Sequence, residues 1–470
     1  LIIRPNILLI MTDQQRGDCL SIEGHPVLLT PNMDSIAAQG VRFDRCYSTC
    51  PVCIPARRSL LSGQYPDTHG IVGYYQQAEW DASISLPTAL KNAGYHTYLV
   101  GRDMHQFPQN KRYGYDHTVS YPDYCEWLNS RLSYITYEPS GHYYASGVMH
   151  NNRTARPWPH DESLHYTNWT VNEAQRFIQN RDPSCPYFLT VSFLAPHPPL
   201  IPPEFYMERY MRTGVPEPVI GEWAKAPVAG GKGSPVDSAE VCLSGEELLS
   251  CRSAYYGLIN HIDDQLSRLL SSVEAEGADN TIIIFTSDHG EMLGDHYLFR
   301  KSVPYEPSVR VPLFISAPPR YGIRKGQVIS KPVSLEDIMP TILDLSGVEI
   351  PNTVEGSSLA PLMREEEVSW RSYVHIEHGE GTVNFQPHHT LTDGIEKYIW
   401  FVRSGEEQFF DLRTDPQECR NVFDSEHYRD AVAGWRRKLI AKLRDRPERF
   451  TDGETLISGR PYPTYIERHN

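Results

Sequence analysis

Two short runs limit the fold of this chain more than anything else in it: "NILLIMTDQQ" at residues 6–15 and "NTIIIFTSDHGE" at 280–291. Each is an unbroken apolar stretch of strand length, and each turns polar at an aspartate, Asp13 in the first and Asp288 in the second. Strands without polar alternation are buried on both faces, as in a parallel sheet sandwiched between helices. Further strands are expected at 95–101 ("YHTYLVG"), 187–195 ("YFLTVSFLA") and 311–318 ("VPLFISAP"). Helical patterns lie between them, among them "SLPTALKNAG" and "NWTVNEAQRFIQN". A longer one, "CRSAYYGLINHIDDQLSRLLSSVEAEG", repeats Leu258, Ile262, Leu266, Leu269 and Leu270 at helical spacing. Strands alternating with helices predict a three-layer α/β fold.

In open α/β sheets, ligands collect beyond the carboxyl ends of the strands. Asp13, the segment from Gly101 to His105, Pro196 with His197, and Asp288 with His289 all follow such runs. These clusters are therefore expected to meet at one site. Near residues 352–372 the pattern changes: "KYIWFVRSGEEQFFDLRTDPQE" reads as an antiparallel unit and "YRDAVAGWRRKLIAKLRD" as a closing helix. This divides the chain into a main domain at 1–370 and a smaller α+β subdomain at 371–470. The stretch 113–169 is rich in Tyr, Trp, His and Asn, either as loops around a polar ligand or as an excursion packed by its own tyrosines. Residues 214–245 read as a Pro-, Gly- and Ser-rich surface loop.

With 44 basic and 59 acidic residues the net charge is −15, which argues against a nucleic-acid partner. A small anionic substrate remains open, because it needs only a local basic pocket. No run is long enough for a membrane span, and no secretory signal is visible.

Nine cysteines include three within eight positions, in "CYSTCPVCIPARRSLLSG" at 46–63. The spacing of Cys46, Cys50 and Cys53 is that of thiolate triads holding iron–sulfur clusters, but no glycine-rich cofactor strand follows. Zinc lacks a fourth ligand at suitable spacing. A disulfide would explain neither the proline nor the arginines. Cys46 and Cys50 read as buried cysteines, whereas Cys53 begins Cys53-Ile54-Pro55-Ala56-Arg57 and "RSLLSGQYP" follows.

That stretch resembles the signature of the type I sulfatases, C-x-P-x-R followed by "SLLTG", in which the cysteine is oxidised to formylglycine. The opening "NILLIMTDQQ" resembles the family's first metal strand, and "TSDHGEMLGDHYLFRKSVPYEPSVRVPLF" its second metal strand and lysine loop. "GRDMH" resembles its G-K-W-H, "APHPPL" its leaving-group histidine segment, and "FFDLRTDPQECRNV" its C-terminal subdomain. The resemblance runs from residue 6 to about 445. It implies an alkaline-phosphatase-like α/β/α sandwich with a C-terminal antiparallel sheet and helix.

The resemblance also implies roles. Asp13, Gln14, the converted Cys53, Asp288 and His289 would surround a divalent metal. Gln14 and His289 depart from the commoner Asp and Asn. Calcium is the expected ion, with manganese or magnesium as alternatives. Arg57 would hold the deprotonated hydroxyl of the hydrated aldehyde, and His105 would take the proton of the second. Arg102 and Lys301 would bind sulfate oxygens, and His197 would protonate the leaving alcohol. Arg300 reads as a solvated neighbour, while Asp295 and His296 stay unassigned.

The implied activity is sulfate-ester hydrolysis on a sulfated saccharide derived from glycosaminoglycans such as heparin, including 2-O-sulfated unsaturated uronic acids. The implied partners are that saccharide and a formylglycine-generating enzyme, and the implied compartment is the periplasm or the exterior. Two alternatives stand beside it. One is a phosphonate monoester or phosphodiester hydrolase of the same superfamily, which shares the Gln/His metal set. The other is a glycan-binding protein without turnover, if Cys53 stays a thiol.

Overall fold

The first apolar run forms strand β1 (Asn6–Asp13), inside an eight-stranded sheet. The computed structural model describes residues 4–81, 83, 85–132, 148, 151–227, 238–276, 278–381 and 385–467. The other strands of this sheet, in chain order, are β2 (Val41–Phe43), β3 (His96–Gly101), β4 (His117–Ser120), β5 (Tyr187–Pro196), β6 (Thr281–Ser287), β7 (Leu313–Ser316) and β8 (Gln327–Ile329). They lie in the order β8-β2-β7-β6-β1-β5-β3-β4. Strand β7 runs antiparallel to both its neighbours, and the remaining pairs are parallel. Apolar pattern carries no strand direction, so the reversal of β7 is visible only in the structure.

β1 is flanked by β5 and β6, so that Ile10 stands beside Val191 on one side and Phe285 on the other. Its side chains alternate between two cores. Leu8 and Ile10 pack against helices α1 (Pro31–Gln39), α4 (Tyr166–Asn180) and α5 (Gly245–Ala275). Ile7, Leu9 and Met11 pack against α2 (Cys53–Ser62), α3 (Leu86–Asn92) and α6 (Ile338–Leu345). This is the three-layer arrangement expected from a strand apolar on both faces. Each fully buried Leu or Ile contributes on the order of 1.5–3 kcal/mol, so a charge in this run would remove that gain and bury an unpaired ion. In α5 the stripe of Leu258, Ile262, Leu266 and Leu269 faces the core, while Leu270 sits half-buried at its edge.

The C-terminal part is an antiparallel meander of β9 (Val374–His378), β10 (His388–Thr392), β11 (Glu396–Phe401) and β12 (Glu407–Asp411), as expected. Helix α7 (Arg429–Leu443) covers one face through Val432, Trp435, Leu439 and Leu443. The other face meets the α/β layers, where Val374 and Ile376 touch Tyr47 and Val309. Lys397 on β11 is fully buried and paired with Glu418 at 2.7 Å and Glu306 at 2.8 Å. That pairing ties the meander to the loop following Lys301.

In the aromatic excursion, Tyr124, Trp158, Tyr166 and Trp169 pack on one another and on Leu128 and Ile201. For these residues the self-packed reading holds; 133–147 and 149–150 lie outside the described residues. So do 228–237 of the expected surface loop. No helix among the described residues is long and apolar enough to cross a membrane.

Candidate active site

Strands β1, β3, β5 and β6 run parallel, so their carboxyl ends share one edge of the sheet. Asp13 closes β1, Arg102 follows β3, His197 follows β5, and Asp288 with His289 follows β6. At Gly101 the backbone takes φ 95°, and a Cβ there would collide with the carbonyl oxygen of Ser192. Glycine is thus required for β3 to turn Arg102 inward beside β5. Cys53 opens helix α2, and Arg57 lies one turn further on the same face, which the spacing of the motif dictates.

The two aspartates are held by arginine. Arg57 is fully buried; its Nε donates to Asp288 Oδ2 at 2.9 Å and its Nη2 to Asp13 Oδ2 at 3.2 Å. Its Nη1 donates to the Asp103 carbonyl at 3.1 Å and to Ser192 Oγ at 3.0 Å. Arg102 Nε donates to Asp13 Oδ2 at 2.6 Å, and its Nη2 to His105 Nε2 at 3.3 Å. Burial alone would raise the Asp13 carboxyl, but Arg102, His197 and Arg57 hold it well below the usual carboxylate range. Burial, then Arg102, pushes His105 down to about 4, so its ring is neutral at pH 7.

One ligand atom each from Asp13, Cys53, Asp288 and His289 lies within 4.8 Å of the other three. Cys53 Sγ is 3.1 Å from His289 Nε2 and 3.6 Å from Asp13 Oδ1. His289 Nδ1 donates to the Gly290 carbonyl at 3.0 Å, so in the neutral ring Nε2 presents its lone pair to the cluster. Two carboxylates and an imidazole lone pair suit a divalent cation, and all four residues are buried. Burial and Asp13 push the Cys53 thiol up to about 12. Gln14 sits beside the cluster at φ 73°, with its N–H on Asp288 Oδ1 at 3.0 Å. Its amide is held at both ends: Nε2 donates to Glu291 Oε2, and Oε1 accepts from Lys301 Nζ.

A cavity of about 170 Å³ opens over this cluster. Cys53, Arg102, His197 and Lys301 line it, together with Tyr74, Asn151, Arg300, His378 and Phe385. His197 Nδ1 donates to the Pro198 carbonyl at 2.6 Å. Lys301 stands between two non-glycine residues at positive φ, 75° at both Arg300 and Ser302. Such backbone costs on the order of 1 kcal/mol per residue and persists where its surroundings demand it.

Arg300 is not the solvated neighbour expected from the sequence. It is half-buried on the cavity wall, and its guanidinium donates to the Asn151 carbonyl. Asp295 and His296 lie outside this cavity: Asp295 pairs with Arg16 and Arg252, each at 2.7 Å. Cys46 and Cys50 are buried, and none of the nine cysteines forms a disulfide bond. Neither belongs to the ligand cluster.

Three residues near the site escaped the sequence reading. Ser192 on β5 supports Arg57. Glu291 is buried and accepts from the Leu293 and Arg300 N–H groups as well as from Gln14. His378 comes from β9 of the C-terminal meander. Glu291 lies within the quoted "SDHGE", yet only its partners reveal what it holds.

Comparison with known proteins gives two family matches. A family model described as "Sulfatase" matches residues 5–348, and one described as "N-sulphoglucosamine sulphohydrolase, C-terminal" matches residues 294–445. The chain is similar to an arylsulfatase of Clostridium perfringens, with 39% identity over 98% of this chain and 99% of the relative. It is similar to an N-acetylglucosamine-6-O-sulfatase of Bacteroides thetaiotaomicron, with 27% identity over 96% of this chain and 88% of the relative. Among solved structures, the phosphonate monoester hydrolase of Agrobacterium radiobacter matches with a TM-score of 0.75 and 28% identity, covering 93% of this chain and 95% of that one.

Proposed function

The chain belongs to the sulfatase family and is a sulfuric ester hydrolase; from that premise we propose that it removes sulfate from a sulfated carbohydrate, with Cys53 matured to formylglycine beside a divalent cation. The observation that carries this reading is the buried cluster of Asp13, Cys53, Asp288 and His289 under a cavity lined by Arg102 and Lys301. When bound, the cation would polarise a sulfate oxygen, and the hydrated aldehyde would supply the attacking hydroxyl.

The ligands we assign are Asp13, Asp288, His289 and matured Cys53, with Gln14 as the fifth, and the ion we assign is calcium before manganese or magnesium. Arg102 and Lys301 face the cavity as fixed cations and bind sulfate oxygens, where each such donor is worth about 10²–10³ in rate. Arg57 fixes both aspartates and stabilises the reacting oxygen. His105, neutral at pH 7, accepts the proton that frees the aldehyde again. With Nδ1–H spent on Pro198, His197 moves its proton from Nε2 to the leaving oxygen.

Arg300 adds a cation to the cavity wall beyond the two assigned to sulfate, which suits the carboxylate of a uronic acid. A 2-O-sulfated, unsaturated uronate from heparin or another glycosaminoglycan is the substrate we propose. Maturation by a formylglycine-generating enzyme and export to the periplasm or exterior belong to the same proposal. A second reading, phosphonate monoester or phosphodiester hydrolysis, is favoured by the Gln14 and His289 pair and by the likeness to the Agrobacterium radiobacter enzyme.

The test is release of inorganic sulfate from 2-O-, 6-O- and N-sulfated disaccharides, saturated and unsaturated. The chain is co-produced with a formylglycine-generating enzyme and supplied with calcium, beside phosphodiester and phosphonate controls. Release from one disaccharide supports the reading and names the position. Turnover of the controls alone moves the assignment to the second reading.

A further inference from the structure

On the sulfatase reading above, the leaving group must lie in the cavity over Cys53, which His378 also lines. His378 is the last residue of β9 and stands opposite His388 of β10. It shares a face of the meander with Val374 and Ile376, whose contacts with Tyr47 and Val309 seat that face on the α/β layers. By this route a residue of the C-terminal part reaches the wall of the cavity that also exposes Cys53.

The state of its ring is set by one bond. His378 Nδ1 lies 2.6 Å from the Gly379 carbonyl, which can only accept, so Nδ1 carries the proton. Burial pushes its pKa down to about 4, so the ring is neutral at pH 7. Nε2 is therefore an acceptor. It is buried, and among the described residues nothing donates to it. An unsatisfied buried acceptor is destabilising, and a donor brought into the cavity would relieve it. Carboxylates, sulfates and nitro groups offer no donor, whereas a hydroxyl or an amide N–H does. Phe385 and Tyr74 line the same cavity and offer aromatic faces to a ring.

We propose that His378 is a specificity-determining residue that accepts a hydrogen bond from a hydroxyl or amide N–H of the leaving group. It selects hydroxyl-bearing sugar rings over plain aryl alcohols.

The experiment compares kcat/KM for a sulfated saccharide and for para-nitrophenyl sulfate, which has no donor on its leaving group. His378→Ala is expected to lower kcat/KM on the saccharide by about 10- to 100-fold and to leave the aryl ester within about twofold. His378→Gln, which keeps an acceptor, is expected to recover part of that loss. With the unaltered enzyme, saccharides lacking one hydroxyl at a time should include one that loses as much as His378→Ala does, so the test survives if the variants fold poorly. Equal losses on both esters, or no loss on either, overturn the proposal. Turnover of the aryl ester but of no saccharide overturns it while sulfate hydrolysis stands. Phosphonate turnover with no sulfate released from either ester overturns the function reading and this proposal with it.

Discussion

Arg57 Nε and Asp288 Oδ2 lie 2.9 Å apart, with neither side chain exposed to solvent. The same guanidinium reaches Asp13 Oδ2 at 3.2 Å, so one arginine offsets two buried aspartates on neighbouring strands. Removing it takes the arginine from Asp288 and leaves Asp13 with Arg102 alone. Arg57→Ala is expected to destabilise the fold by about 3–5 kcal/mol in denaturant titrations. Arg57→Lys keeps the charge but loses the planar fork, so it should unfold later than the alanine variant yet lose at least about 100-fold in sulfate release. A lysine variant with full activity would show that charge alone suffices.

Glu291 holds the Gln14 amide and the Arg300 N–H from one buried carboxylate. Glu291→Ala strips those donors of their acceptor and lets the Gln14 amide turn. Loss of such an outer partner typically costs about 10–100-fold in metal affinity. Calcium titration of the metal-free variant by calorimetry checks this, and an unchanged affinity would remove Gln14 from the ligand set.

Metal binding should also appear as stability. A cation that binds only the folded chain at about 100 times its Kd adds about 2.7 kcal/mol. Chelation should lower the melting temperature, and calcium should restore it. Asp13→Asn and Asp288→Asn should each abolish the calcium-dependent rise. A rise that survives both substitutions would locate the ion elsewhere.

Acid should weaken the fold before it reaches the carboxylate range. Burial lowers the pKa of His165, His261, His375, His378, His388 and His389, to about 4 for His378 and about 3 for His165. Below the unfolded value near 6.5 the unfolded chain takes up protons that these buried rings refuse, so stability falls with pH. For His378 the loss is about 2 kcal/mol by pH 5. Glu336 and Glu418, raised by burial to about 7, Asp263, raised to about 6, and Glu291, also raised, oppose this because the folded chain holds their protons above the ordinary carboxylate range. The six histidines outnumber these carboxyls, and the melting temperature is expected to fall by several degrees between pH 7 and pH 5. A midpoint that rises over that interval would show that the carboxyls win.

Much of the sheet and site could be read from the sequence because local pattern carries it. Asp13 and Asp288 end apolar runs, and Cys53 with Arg57 share a helix face through their spacing alone. What could not be read depends on contacts between distant segments. The reversal of β7 leaves no trace in apolar pattern, because a buried strand looks the same in either direction. Arg300 reaches the cavity through a left-handed backbone on the lysine loop, where solvation was the simpler expectation. Glu291 meets Gln14 across 277 residues. His378 reaches the cavity only because an antiparallel meander docks on the α/β layers, a placement that "YVHIEHGE" does not announce.

The position of β1 has a consequence in time. It is made well before both strands that flank it, and the Gln14 N–H waits 274 residues for the Asp288 carboxylate. At about 5–20 residues per second, synthesis leaves this apolar strand without its β6 neighbour for roughly 15–55 s. The nascent chain must be kept from aggregating through that interval. The same delay keeps Cys53, which ends almost wholly buried, open to solvent until the sheet closes over it.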